Sequence, residues 1–135
     1  MTEMTYAQAA RLGLKEELER DPKVWALGED LGFEGGMAGQ YKDLQAEFGI
    51  DRIVDTPISE STIMGAAIGA ALAGTRPIAE LRFSDFAMCA VDELVNQAAK
   101  ARYMFGGQAR VPMVARMPIG IRGGIAAQHS QSPEA

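Results

Sequence analysis

The stretch Asp55-Thr56-Pro57-Ile58-Ser59-Glu60, with the small-residue run from Ser61 to Gly74 behind it, constrains this chain more than any other. Ile53-Val54-Asp55 reads as a short buried strand. Pro57 disfavours a helical conformation at Thr56 and Ser59 is a good cap, so a helix is predicted to start here with Glu60 in its first turn. That helix carries Gly65, Ala66, Ala67, Gly69, Ala70, Ala71, Ala73 and Gly74, a surface almost without side chains. Glycine costs a helix about 1 kcal/mol relative to alanine, so Gly65 and Gly69 predict close approach by another backbone or a ligand. Taken alone, Glu60 is a carboxylate favoured by the helix dipole.

The rest of the chain alternates helices with short apolar strands. Thr5-Tyr6-Ala7-Gln8 has the form of a capping box, and Ala10, Leu14 and Leu18 share one face of a helix ending near Arg20, before Asp21-Pro22. Val24-Trp25-Ala26-Leu27 reads as a buried strand leading into Gly28-Glu29-Asp30 and a glycine-rich segment, Gly32 to Gly39. Tyr41 to Phe48 is predicted as a short helix closed by Gly49. Beyond Gly74, Arg76 to Phe83 is extended, and Ser84-Asp85 caps a long helix, Phe86 to Phe105. Val91, Leu94, Val95, Ala98 and Ala99 form its buried face, and Gly106-Gly107 stops it. Val111 to Ala115 is a further strand, followed by a glycine-rich loop with Arg116, Arg122, Gly123 and Gly124. The closing Ser132-Pro133-Glu134 reads as the start of another helix, which implies a piece of a longer protein.

This order predicts an α/β fold: a parallel sheet with helices on both faces and ligand loops at the carboxyl ends of the strands. Glu29-Asp30, Thr56 to Glu60, Ser84 to Phe86 and Pro118 to His129 all follow strands and should cluster at one edge. With 135 residues the chain suits one domain, which can bury about two thirds of its unfolded surface. A net charge of −5 disfavours nucleic acid as a partner. One cysteine and one histidine exclude an internal disulfide and a Cys/His zinc cluster. Met1 to Tyr6 lacks a signal-peptide pattern and the run Ile63 to Ala73 is too short to span a bilayer, so a soluble, cytoplasmic protein is expected. The glycine-rich segment lacks the spacing of a dinucleotide fingerprint or a P-loop, and Glu29, Asp30 and Glu34 would repel a phosphate.

Glu60, four residues, Gly65, apolar Ala66, two more residues and Gly69 together resemble the cofactor-activating motif in the pyrimidine-binding domain of thiamine-diphosphate enzymes. Gly28-Glu29-Asp30, Asp55 to Glu60, Arg76 to Glu80, Val95 to Lys100 and Gln128-His129-Ser130-Gln131 extend the likeness along nearly the whole chain, in order. They resemble the beta subunit of 2-oxo acid dehydrogenases, the decarboxylating component of the pyruvate, branched-chain and acetoin dehydrogenase complexes. The matching part is the N-terminal, transketolase-like pyrimidine-binding domain, residues 1–135, and the family's C-terminal domain is missing.

The resemblance implies that Glu60 is hydrogen-bonded to the aminopyrimidine ring of thiamine diphosphate and promotes its imino tautomer, a role that suits a buried carboxyl. It implies that Phe86, otherwise a core aromatic, packs on that ring with Ile58 in weaker contact, and that His129, otherwise a polar loop residue, lines the active-site funnel. Cys89 and Met104-Phe105 read as packing. No G-D-G with a distant Asn is present to hold magnesium and the diphosphate, so no metal ligand is assigned here. That half of the site is expected from an alpha subunit in an α2β2 heterotetramer, and the isolated chain is expected to be inactive. The resemblance also admits a potassium ion on backbone oxygens near Val111 to Val114. Its implied reaction is decarboxylation of a 2-oxo acid with acyl transfer to the lipoyl group of an acyltransferase. The alternatives are an acetoin dehydrogenase subunit, toward which Arg102 to Gly107 leans slightly while Ser130 to Ala135 leans back toward the oxo acid enzymes, and a non-catalytic module using the bare Gly65 to Gly74 face for subunit packing.

Overall fold

The computed structural model describes residues 3–120 and 124–133; Arg122 and Gly123 of the glycine-rich loop, and Glu134 and Ala135 at the expected helix start, lie outside the described residues. Helix α1 (Tyr6–Arg20) opens with the capping box: the Gln8 backbone N–H donates to Thr5 Oγ1 at 3.2 Å and the Thr5 N–H to Gln8 Oε1 at 2.8 Å. Its buried residues are Leu14 and Leu18. Strand β1 (Val24–Gly28) follows, then the glycine-rich loop and α2 (Leu44–Phe48). That helix is shorter than expected because Tyr41 is buried in the loop before it, anchored by its side chain. Gly49 closes it at φ 94°, a conformation that favours glycine, with its N–H donating to Gln45 O at 2.8 Å.

Strand β2 (Ile53–Asp55) leads to α3 (Glu60–Leu72), and β3 (Arg76–Glu80) runs back beside β1. With β4 (Val114–Arg116) the sheet has the order β2-β1-β3-β4 and every pairing is parallel. Alternation along the strands divides the core in two. Val24, Ala26, Ile53 and Ile78 pack with Leu14, Leu18, Tyr41 and Leu44. Leu27, Ala79 and Leu81 pack on the other face with Ile63, Met64 and Ala67 of α3. The expected α/β sheet with both faces covered is what the chain forms.

Several local expectations are corrected. Ser59 precedes α3 without capping it; its hydroxyl pairs with Thr62 Oγ1 at 2.8 Å instead. A Cβ at Gly69 would meet nothing within 4 Å, and one at Gly65 only Glu93 Cγ at 3.9 Å, so among the described residues no backbone closes on these two glycines and the space beside them is open. Val111 to Met113 form a tight turn, Met113 N–H to Val111 O at 2.9 Å, and the strand starts only at Val114.

The expected long helix is broken into a 3₁₀ stretch (Ser84–Ala90), a π-helical stretch (Glu93–Ala98) and the short α4 (Ala101–Met104). The wide turn is marked by the Ala99 N–H reaching Leu94 O at 3.1 Å, five residues back. This segment packs chiefly on α3, and only Ala90 and Leu94 reach the core cluster of Leu27, Ala79 and Leu81. Ala90 and Ala101 are buried and Leu94 is partly buried, whereas Val91, Val95, Ala99, Met104, Phe105 and Cys89 are exposed. Cys89 and Met104-Phe105 are therefore not core.

At the junction of β1 and β3, a Cβ on Gly28 would lie 2.5 Å from Glu80 O, so only glycine fits. Gly28→Ala is expected to lower the unfolding free energy by about 1–3 kcal/mol. Gly13→Ala in α1, where a Cβ meets nothing within 4 Å, should raise it by about 0.5–1 kcal/mol. Chemical denaturation of both variants checks the pair.

Candidate functional site

Parallel pairing sets the strand ends in a row: Asp55, Gly28, Glu80 and Arg116 are register partners in turn across the sheet. Whatever follows each strand is therefore delivered to one edge, where crevices of open parallel sheets bind ligands.

Glu80 anchors that edge from inside. It is 3% exposed, and its carboxylate accepts from Arg116 Nη1 at 2.9 Å, Tyr41 Oη at 3.1 Å and Gln40 Nε2 at 3.0 Å. Burial pushes its pKa up, and Arg116 with the three hydrogen bonds pulls it back. The same burial and the adjacent Glu80 charge raise the Tyr41 phenol. Strands β3 and β4 are thereby tied to the end of the glycine-rich loop.

The loop's beginning forms an acidic corner. Glu29, one residue past β1, is 7% exposed and its Oε1 has no hydrogen-bond partner. Burial raises its pKa, the charge of Glu60 at the start of α3 raises it further, Arg82 lowers it and Asp30 raises it slightly. Arg82, just beyond β3, pairs through Nη1 with Asp30 and through Nη2 with Glu34 at 2.9 Å. Asp55 Oδ1 accepts from the Gly32 N–H at 2.7 Å and holds the same loop to β2. Glu60 itself is half-buried, more open than the buried carboxyl expected of it.

Three rings meet beside this corner. His129, at the end of a 3₁₀ turn (Ala127–His129), stands edge-on to Phe83 at 5.0 Å and to Phe86 at 5.4 Å, and the two phenylalanines are 5.7 Å apart at 87°. Centroid separations in this range are favourable for aromatic pairs. The loop bearing His129 is pinned by the Gln131 N–H donating to Asp85 Oδ1 at 3.1 Å. Phe86 and His129, separately expected at the site, are thus in contact, while Ile58 stands 79% exposed.

Among the described residues, three buried side-chain oxygens lack a partner: Glu29 Oε1, Thr56 Oγ1 and Ser84 Oγ. All three follow strand ends at this edge, and each orphan costs roughly 1–3 kcal/mol unless something outside the chain satisfies it. Together with a carboxyl and an aromatic platform, they fit a flat heterocycle bearing donors and acceptors. A cleft of about 700 Å³ lies at the opposite edge, lined by Arg20, Asp21, Arg76, Pro112 and Met113 among others. Its charges are already matched, Arg76 with Asp21 at 3.0 Å and Arg20 with Glu17, so it carries no comparable demand for a ligand.

Glu29, Phe83, Arg82, Thr56 and Ser84 were not singled out as site residues from the sequence. The signal for Glu29, Thr56 and Ser84 is their position after a strand, which places them at the ligand edge without giving any of them a role. Arg82 and Phe83 lay inside a segment expected to be strand, which in fact ends at Glu80.

Residues 2–135 match the family described as "Transketolase, pyrimidine binding domain". The 2-oxoisovalerate dehydrogenase subunit beta of Bacillus subtilis is 47% identical over 137 residues, covering 100% of this chain and 41% of that protein. The human mitochondrial pyruvate dehydrogenase E1 component subunit beta is 47% identical over 129 residues, 96% of this chain and 36% of its own length. The acetoin:2,6-dichlorophenolindophenol oxidoreductase subunit beta of Cupriavidus necator is 51% identical over 128 residues, 87% of this chain and 38% of its own. The chain spans less than half the length of each of these relatives.

The acidic corner has a pH signature. A carboxyl whose folded pKa is raised binds its proton more tightly in the folded state, so its stabilisation is full at low pH and is lost as pH rises through the raised value. Glu29→Gln cannot ionise. Its unfolding free energy should gain on that of wild type by on the order of 1 kcal/mol between about pH 4 and about pH 7, measured by urea titration at each pH.

Proposed function

Since the chain belongs to the transketolase pyrimidine-binding family, we propose that it is the pyrimidine-binding part of a beta subunit of a thiamine-diphosphate-dependent 2-oxo acid dehydrogenase. The observation that carries this reading is the convergence of Glu60, the ring cluster of Phe86 and His129, and three unsatisfied buried oxygens at one edge of the sheet.

When bound, thiamine diphosphate supplies a carbon nucleophile for the 2-oxo carbonyl and takes up the electron pair left as carbon dioxide departs. Glu60, in the first turn of α3, would hold a proton against the aminopyrimidine ring. Phe86, braced edge-on by Phe83, would offer an apolar face to the ring, with exposed Ile58 in weaker contact. Thr56 and Ser84 hydroxyls are free to donate to or accept from the polar groups of the heterocycle. His129, held against Phe83 and Phe86, would line the funnel through which the substrate reaches the ring.

Magnesium and the diphosphate are proposed to be held by an alpha subunit, in an α2β2 heterotetramer, with a lipoyl acyltransferase receiving the acyl group. Exposed Met88, Val91, Val95, Tyr103 and Met104 and the bare face of α3 support a subunit partner. Nothing in the site favours pyruvate, a branched-chain 2-oxo acid or acetoin over the others.

The test is thiamine-diphosphate- and magnesium-dependent reduction of an artificial electron acceptor by the full-length beta chain with an alpha subunit. One of the three substrate types should turn over, and Glu60→Gln should slow it by about two to four orders of magnitude with the heteromer intact. Unchanged turnover in Glu60→Gln would overturn the assignment of that residue, and no turnover with any substrate would favour a packing module.

A further inference from the structure

Arg82 belongs to no expectation drawn above, yet it sits where two features of the site meet. It lies two residues beyond Glu80, past the end of β3, and both side chains reach the glycine-rich loop, whereas buried Leu81 packs with Leu27 and Ala79. Glu80 grips the far end of the glycine-rich loop through Gln40 and Tyr41. Arg82 grips the near end, with one guanidinium nitrogen on Asp30 and the other on Glu34. Between these fastenings the chain turns through Asp30, at φ 54°, directly after Glu29. The turn that presents Glu29 is thus held by a residue from a different strand.

Among the described residues, three charged groups act on Glu29. Glu60 comes from α3, Asp30 from its own turn, and Arg82 from beyond β3; Glu34 faces Arg82. The charge of Glu60 opposes ionisation of buried Glu29, and among the described residues Arg82 is the one cation that acts on Glu29. A forked guanidinium can bind two carboxylates and still screen a third, which a point-charge ammonium does less well.

We propose that Arg82 is a positioning residue: by gripping Asp30 and Glu34 it fixes the turn that carries Glu29 beside Glu60, and it supplies the cation that lets these two carboxyl groups share one end of the sheet. It need not touch cofactor or substrate. The proposal rests on the reading of Glu60 as the working carboxyl, and its test does not depend on turnover.

The readout is the ionisation midpoint of the Glu29 carboxyl, followed by carbon NMR on the full chain labelled at glutamate and assigned by its loss in Glu29→Gln. Amide exchange over residues 30–41 is measured alongside. Arg82→Gln should raise the midpoint by about one pH unit and speed exchange in the loop. Arg82→Lys, which keeps the charge and loses the fork, should restore most of the midpoint while the loop stays loosened; it also serves if the glutamine variant fails to fold. Glu60→Gln should lower the midpoint by removing the neighbouring charge, whatever that residue does for a cofactor. An unmoved midpoint in folded Arg82→Gln, or a rise in Arg82→Lys as large as in Arg82→Gln, would overturn the proposal. Failure of the cofactor reading would show only in the turnover assay.

Discussion

At the end of β3 a carboxylate with 3% of its surface exposed takes hydrogen bonds from three side chains at once, those of Arg116, Tyr41 and Gln40. Breaking one partner of such a buried pair costs about 3–5 kcal/mol, because the remaining charge is left uncompensated. That cost is what the edge of the sheet leans on. Arg116 brings β4 into line with β3, and Tyr41 and Gln40 bring the glycine-rich loop back over the strand ends. Gly28 completes the arrangement by letting the backbones of β1 and β3 meet where any side chain would clash with Glu80 O.

Polar groups at this edge are of two kinds, and the contrast carries the functional reading. Glu80 is satisfied within the chain, so its role is to hold the loop. Glu29 and Ser84 are buried, Thr56 is half-buried, and each has a buried side-chain oxygen without a partner in the chain. A small domain with marginal stability does not carry several such penalties without a compensating partner. Their positions after β1, β2 and β3 are those a parallel sheet offers to a ligand. The ring cluster of Phe83, Phe86 and His129 supplies an apolar wall beside them.

Much of the frame was legible because it depends on local rules. Thr5 and Gln8 make the capping box expected of them, Leu14 and Leu18 share the buried face, and Gly49 ends its helix in the positive-φ conformation that favours glycine. The short strands followed from apolar runs bounded by breakers, and their parallel order from the alternation with helices. What failed depended on tertiary surroundings. Val91, Val95 and Ala99 have a helical spacing that implies a buried face, but their segment packs on α3 and leaves that face outward. The same spacing gave no hint of the wide turn at Leu94 to Ala99. Phe86 and His129 are expected at the site through a resemblance, and their contact is visible only in the fold. Glu29 and Arg82 were not assigned, because their significance lies in which charges face one another across β1, β3 and α3.

Hydrogen exchange of the full-length heteromer, with and without thiamine diphosphate and magnesium, tests most directly whether the unpaired groups receive the cofactor. If they do, protection will rise in the beta-chain peptides spanning residues 29–34, 56–60, 83–86 and 126–131. Peptides at residues 20–24, 73–76 and 110–113, at the other end of the strands, will stay unchanged. Protection confined to that opposite edge, or none at either edge under saturating cofactor, would contradict a pyrimidine site at the carboxyl ends of this sheet.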